Sequence, residues 1–115
     1  MKNLIALCAV SITLTFAGLS AHAGGDISTH FAPEQVSLGL DTYRQFCQRC
    51  HGAGLRSSGA STFDLRQFPE NDRERFIESV TEGSGDMPPH GDILTGEEID
   101  ALYAYVVTTQ RQNRQ

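Results

Sequence analysis

The sequence predicts an all-α domain of about three helices joined by long loops, and three observations support this. Apolar residues recur at helical spacing near residues 33–48, near residues 69–82 and from residue 95 onward,. No segment alternates apolar and polar residues in the way that a half-buried strand does. The stretches between the helical segments are rich in glycine, serine and proline, which is typical of loops,.

The chain begins with the features of a secretory signal peptide. A lysine at position 2 is followed by an uncharged, mostly apolar run over residues 4–19, and an Ala-His-Ala sequence ends at Ala23,. A membrane span needs roughly 20 apolar residues, so this run is short for a retained anchor, which is the alternative. No later segment is apolar enough to span a bilayer. We therefore expect cleavage near Ala23 and a single periplasmic domain of residues 24–115.

Removing the signal peptide leaves few residues that could hold a cofactor. Cys47 and Cys50 become the only cysteines and Met87 the only methionine. Residues 24–115 hold eight arginines, no lysine and 14 acidic residues, for a formal charge of −6, which argues against nucleic acid as a partner,. A domain of this size is marginally stable alone, and a large buried cofactor would stabilise it.

Prolines and glycines place the first two helices. Pro33 suits the first turn of a helix, so the first helix is predicted over about residues 33–48, before a loop that starts at Gly52,. The second helix is predicted over about residues 69–82, where Gly83 is suited to end it in a left-handed conformation,. The apolar positions of these two helices are Val36, Leu40, Tyr43, Cys47, Phe76, Ile77 and Val80.

The last helix has the clearest signal. Thr95 and Glu98 have the spacing of a capping box, in which each side chain bonds the other residue's backbone N–H,. The apolar residues that follow, at spacings of 3, 1 and 3, are Ile99, Leu102, Tyr103 and Val106. The residues before it cannot be helical through Pro88 and Pro89, and these prolines hold Met87 extended.

Residues 47–51 read Cys-Gln-Arg-Cys-His, the C-x-x-C-H attachment signature of c-type haem,. On a helical turn, residues three apart face the same side, so both thiols would reach one edge of the porphyrin and add across its vinyl groups. His51 would then turn its imidazole towards the iron. The sequence therefore predicts one covalently bound haem c.

Three other interpretations compete for the same residues. A thioredoxin-like redox pair belongs at a strand-to-helix junction, and no strand is predicted here. A disulfide between Cys47 and Cys50 would suit an oxidising compartment. A zinc site would need further ligands, and only His30 and His90 remain, of which we expect His30 to lie on the surface.

The second axial ligand of the iron is predicted to be Met87. This residue lies in a polar, turn-rich segment, whereas a methionine that only fills the core would lie on the buried face of a helix,. His90 is the rival, and an open iron site is a further alternative. Ligation by His51 and Met87 raises the reduction potential and leaves no free position for a substrate. That favours an electron-transfer protein over an enzyme.

The sequence resembles a class I cytochrome c over essentially the whole domain that follows the signal peptide, from about Ser37 to Thr108. Gly39 and Tyr43 match the family's first helix, where a glycine lets the last helix cross closely and an aromatic residue packs at the crossing. The resemblance places Tyr103 as the partner aromatic residue on the last helix. Many members have a proline after the motif, whose carbonyl orients the histidine; residues 52–68 contain none, so another carbonyl should orient His51,.

The second half is similar to cytochromes that serve quinoprotein alcohol dehydrogenases, through the Phe-Asp-Leu sequence at residues 63–65 and the segment 76–106. The resemblance implies a carrier, either a small cytochrome or an equivalent fused domain, that takes electrons from a pyrroloquinoline quinone (PQQ) dehydrogenase and passes them towards a terminal oxidase. We also expect the protein to be a monomer. The alternative is a haem enzyme or gas-sensing subunit with an open or His90-ligated site.

Overall fold

A computed structural model of the chain describes residues 30–57, 59 and 61–115. Within those residues the fold is helical and contains no strand, which confirms the predicted all-α class. The α-helices are α1 (Pro33–Phe46), α2 (Gln48–His51), α3 (Arg73–Glu82) and α4 (Gly96–Asn113), and the 3-10 turns are Ala53–Leu55 and Leu65–Gln67.

The predicted signal peptide, with cleavage near Ala23, lies outside the described residues. Among the helices that are described, none is both long enough and apolar enough to cross a membrane.

Helices α1 and α4 cross in close contact at Gly39. A Cβ atom added to Gly39 would lie 1.9 Å from the carbonyl oxygen of Ala101 and 2.8 Å from Cβ of Tyr105. Any side chain at this position would therefore force the two helices apart. The predicted close approach of the last helix to this glycine is confirmed.

The aromatic residue that packs at this crossing is Tyr105, so the prediction of Tyr103 was wrong. The rings of Tyr43 and Tyr105 lie 5.0 Å apart between their centroids, whereas Tyr103 packs against Phe31 and Phe76. Residues two apart on a helix point in nearly opposite directions, because each residue turns the helix by about 100°. Tyr105 shares the face of Ala101, which is the face that meets Gly39.

The first helix ends at Phe46, two residues earlier than predicted, and the motif forms a separate turn. Cys47 has φ −113° and ψ −37°, and its N–H donates to the Tyr43 carbonyl. Helix α2 then follows and ends at Gly52, whose φ of +79° favours glycine,. The Tyr43 hydroxyl donates to the Gly52 carbonyl at 2.6 Å, so α1 holds the end of the motif turn.

Helix α3 begins at Arg73, so the predicted start at residue 69 was wrong. The Asp72 N–H donates to the Pro69 carbonyl in a turn, and the Glu70 carbonyl accepts from the Tyr103 hydroxyl. Residues 69–72 therefore form a turn in front of the helix, and this turn contacts α4 through Glu70. Gly83 ends the helix with φ +83°, as predicted.

Helix α4 forms the centre of the hydrophobic core. Its predicted capping box is confirmed, because Glu98 N–H donates to Thr95 Oγ1 and the Thr95 N–H donates to a Glu98 carboxylate oxygen. Residues 101–107 are all buried, so α4 contacts other elements on almost every side. Near its end, the buried amide of Gln110 donates to the Leu65 and Phe68 carbonyls.

Replacing Gly39 tests the crossing. We expect Gly39→Ala to lower the free energy of unfolding by about 1–3 kcal/mol, because the added methyl group overpacks a helix contact. Gly96→Ala is the matched control, since a Cβ at Gly96 would meet no atom within 4 Å. Denaturant unfolding measures both variants, and equal stability of the two would contradict the crossing.

Replacing Glu70 tests the contact between the turn that precedes α3 and the end of α4. Burial acts to raise the pKa of Glu70, but its hydrogen bonds with Arg111 and Arg114 outweigh this and lower the pKa below the ordinary 4.5. The stabilisation is therefore present above about pH 4.5 and is lost as the pH falls through the lower folded value. We expect Glu70→Gln to cost about 1 kcal/mol at neutral pH and nothing at the acid end of a thermal-unfolding series. A constant difference across that series would contradict the ion pairs.

Candidate functional site

A cavity of about 530 Å³ lies among the four helices, and the predicted site residues surround it. A second cleft of about 260 Å³ contains none of them. The large cavity is mostly apolar, and aromatic rings from several elements pack edge-on along one wall: Phe63 against Phe68 and Phe68 against Phe76. Its apolar walls are formed by Phe46, Leu65, Phe68, Phe76, Val80, Leu102 and Val106.

Cys47 and Cys50 both line the cavity as free thiols, so the structure does not form the alternative disulfide. The Cys50 and His51 N–H groups both donate to the Cys47 carbonyl, which sets the helical turn that the motif spacing predicts. Burial, and then the neighbouring Cys50, raise the pKa of the Cys47 thiol to about 11. A thiol-redox cysteine needs a lowered pKa, so this environment argues against a thioredoxin-like pair.

His51 is buried at the cavity wall and is held by a backbone group. Its Nδ1 lies 3.1 Å from the Phe63 carbonyl oxygen, which only accepts, so Nδ1 carries the proton and Nε2 keeps its lone pair,. Burial lowers the pKa of His51, although the bond to the Phe63 carbonyl acts in the other direction. The imidazole is therefore neutral at pH 7, the form that binds a metal.

The Phe63 carbonyl binds the His51 imidazole in place of the proline carbonyl of many family members, since residues 52–68 contain no proline. Sequence reasoning required such an acceptor without identifying it, because any residue supplies a backbone carbonyl. The Gly52 carbonyl, which accepts a hydrogen bond from the Tyr43 hydroxyl, could not be identified from the sequence for the same reason. Burial raises the pKa of the Tyr43 hydroxyl well above its usual range, so it remains a donor.

Met87 lines the same cavity from the loop after α3. Its backbone makes two hydrogen bonds with Ser84, which close a tight turn. Gly83 and Gly85 have φ values of +83° and +57°, and a Cβ at Gly83 would lie 2.7 Å from the Met87 carbonyl oxygen. The loop conformation that presents Met87 therefore requires glycine at position 83.

His90 also lines the cavity, whereas His30 is exposed and does not. The His90 ring packs edge-on against Phe46. The backbone N–H of His90 donates to the Val80 carbonyl at 2.8 Å. Its Nδ1 is buried without a hydrogen-bond partner among the described residues. Both candidates for the second axial position are thus brought to one cavity.

The arrangement fits a covalently attached haem. It places two thiols, a neutral imidazole with a free Nε2 and a thioether around an apolar cavity that suits a flat hydrophobic ring,. In the described part of the chain, no three His, Cys, Asp or Glu side chains are grouped so that they could hold a metal ion by themselves.

An all-α fold whose C-x-x-C-H turn faces such a cavity defines a haem protein of the cytochrome c type. The chain belongs to the cytochrome c family described as "Cytochrome C oxidase, cbb3-type, subunit III", which matches residues 34–106. As a member, it binds one covalent haem c and transfers electrons. The resemblance to class I cytochromes c is confirmed.

Individual relatives come from several kinds of redox protein. The chain is 39% identical over 85 residues to quinohemoprotein alcohol dehydrogenase ADH IIB of Pseudomonas putida, covering 71% of this chain and 12% of that protein. It is 35% identical over 78 residues to cytochrome c550 of Pseudomonas aeruginosa, covering 62% of this chain and 53% of the relative. It is 30% identical over 73 residues to cytochrome c6 of Microcystis aeruginosa, covering 60% of this chain and 90% of the relative.

The chain therefore spans about an eighth of the alcohol dehydrogenase and about half of cytochrome c550. No solved structure matches it significantly.

Proposed function

We propose that this protein is an exported one-electron carrier whose haem c is attached through Cys47 and Cys50 and ligated by His51 and Met87. The observation that supports this most is that all four side chains line one cavity. When bound, haem supplies an iron that gains or loses one electron. The protein supplies the ligands, the dry surroundings and the route to the surface.

His51 is prepared for its role by the Phe63 carbonyl. A hydrogen bond from Nδ1–H fixes the ring orientation and makes the other nitrogen a stronger ligand,. Because the imidazole is already neutral at pH 7, no proton has to leave before it binds iron.

Met87 contributes a soft thioether, which raises the reduction potential relative to harder ligands. Its turn is attached to the end of α3, since the His90 and Gly91 N–H groups donate to the Val80 and Thr81 carbonyls. A loop held in this way keeps the thioether in place in both oxidation states, which suits fast electron transfer.

The route for electrons is proposed to be the rim where Cys50 and Phe63 reach the surface. Cys50 is exposed, and Phe63 is 49% exposed although it lines the cavity. An apolar contact at this rim would bring a partner close to the haem edge. A carrier must also release its partner quickly, so this interface is expected to be small.

The proposed partners are exported redox enzymes, with a PQQ-dependent alcohol dehydrogenase as donor and a terminal oxidase as acceptor. The likeness to a quinohemoprotein alcohol dehydrogenase supports the donor, and the family description supports the acceptor. The signal-peptide features of residues 1–23 support a periplasmic location,.

A second candidate is a haem enzyme or gas-sensing subunit in which His90 is the axial ligand or the site is open. Its support is the presence of His90 at the cavity, with a buried Nδ1 that has no described partner. His90 and Met87 are therefore the two residues to replace.

Replacing Met87 tests the axial ligand. We expect Met87→Ala to abolish the long-wavelength absorption of methionine-ligated ferric haem and to lower the reduction potential, because a soft ligand is lost. The reduced variant should also bind carbon monoxide rapidly, whereas the reduced wild-type protein should resist it at neutral pH.

His90→Ala is the matched control and should keep the wild-type spectrum. If His90→Ala changes the spectrum and Met87→Ala does not, His90 is the ligand. Rapid carbon monoxide binding by the wild-type protein would instead favour an open site.

Replacing Phe63 tests the rim. We expect Phe63→Ser to slow reduction by a reduced quinoprotein alcohol dehydrogenase several-fold in a rapid-mixing experiment, since the apolar contact is lost while the backbone carbonyl remains. Ile93→Ser is the control, because Ile93 is 61% exposed and does not line the cavity. Equal rates for the two variants would contradict docking at this rim, and no reduction of the wild-type protein would exclude this donor.

A further inference from the structure

We infer that Gln110 is a positioning residue for the haem ligand His51, an inference that rests on the proposed function. Gln110 lies near the end of α4 and acts on the imidazole indirectly. It holds the backbone segment that carries the Phe63 carbonyl, and the position of that carbonyl sets the strength of the hydrogen bond to His51. Through this bond, Gln110 tunes the reduction potential of the haem.

The carboxamide of Gln110 holds both ends of one short turn. Its Nε2 donates to the Leu65 carbonyl at 2.6 Å and to the Phe68 carbonyl at 2.8 Å. Leu65 begins the 3-10 turn Leu65–Gln67 and Phe68 follows it, and the Phe68 N–H also donates to the Leu65 carbonyl. One side chain therefore attaches the whole turn to α4.

Phe63 lies two residues before this turn, in a stretch without regular structure. In the described part of the chain no helix lies between Leu55 and Leu65, so helical hydrogen bonding does not set the backbone there. The Phe63 carbonyl oxygen lies 3.1 Å from Nδ1 of His51. A hydrogen bond weakens as its length and angle depart from the optimum, so a shift of the turn would weaken this one.

The burial of Gln110 indicates a specific role for its amide. The residue is 1% exposed, and its Oε1 has no hydrogen-bond partner in the part of the chain that the structure describes. Burying a polar atom without a partner costs free energy, and an apolar side chain of similar size would avoid that cost. An apolar side chain could not supply the two donated hydrogen bonds, so holding the turn is what the amide contributes.

The hydrogen bond that this turn supports affects the iron. Donation from Nδ1–H of His51 to the Phe63 carbonyl makes the other ring nitrogen a more basic ligand,. A more basic ligand stabilises the more positive ferric state and lowers the reduction potential. Releasing the turn from α4 should therefore weaken the ligand and raise the reduction potential.

The test is a potentiometric titration of the haem-loaded full chain and its Gln110→Leu variant, in which the new side chain has no N–H to donate. We expect the equilibrium constant for reduction to rise about twofold to tenfold, where tenfold corresponds to about 59 mV for one electron. We also expect the Nδ1–H proton of His51, observed by NMR, to exchange with solvent faster, because its acceptor is held less firmly.

Val107→Ala is the matched control, because Val107 is buried on the same helix but lines neither the large cavity nor the second cleft. It should lower the free energy of unfolding, since it leaves a void in the core. The reduction potential and the exchange rate of the His51 proton should stay at their wild-type values.

A Gln110→Leu protein that is less stable but keeps the wild-type potential and exchange rate would overturn this inference, because Gln110 would then only stabilise the fold. Equal shifts of the potential in Gln110→Leu and Val107→Ala would overturn it too. Both outcomes leave the proposed function intact, whereas a wild-type protein without covalent haem would overturn both.

If Gln110→Leu does not fold, the wild-type protein supplies the test. The side-chain N–H protons of Gln110 should then exchange as slowly as the backbone amides of the core, because the two hydrogen bonds to the turn open only when the core opens,. Fast exchange of these protons in the folded, haem-loaded protein would contradict the inference.

Discussion

The contact between Gly39 and the Ala101 carbonyl is the constraint on which the rest of the site depends. It lets α1 lie directly on α4, and this packing buries Tyr43 against Tyr105. The buried Tyr43 hydroxyl then reaches the Gly52 carbonyl and holds the end of the C-x-x-C-H turn. A wider separation of the two helices would move that turn away from the cavity.

The same long helix supports the other partners of the motif. Gln110 of α4 bonds the Leu65 and Phe68 carbonyls, and so positions the segment whose Phe63 carbonyl orients His51. Tyr103 packs on Phe76 and thereby supports α3, from whose end the Met87 turn begins. Helix α4 lines little of the cavity itself, yet it supports the parts of the cavity directly or through α1 and α3.

The sequence predicted the parts of this structure that depend on side-chain identity. The C-x-x-C-H motif, the capping box at Thr95 and the helix-ending Gly83 each require particular residue types at particular positions. The break at Cys47 was not predicted because the helical spacing of apolar residues continues to that position, and the start of α3 was placed too early, at Pro69. Tyr103 and Tyr105 are chemically alike, so only the packing of α4 distinguishes them. Met87 and His90 both reach the cavity, and the choice between them still rests on sequence reasoning.

The use of a backbone carbonyl to orient His51 affects how this protein can vary during evolution. Every residue type at position 63 offers the same carbonyl, so point substitutions there leave the hydrogen bond intact. An insertion or deletion between Gly52 and Phe63 would shift the carbonyl out of register with the imidazole. Selection in this loop is therefore expected to act on its length more strongly than on its composition.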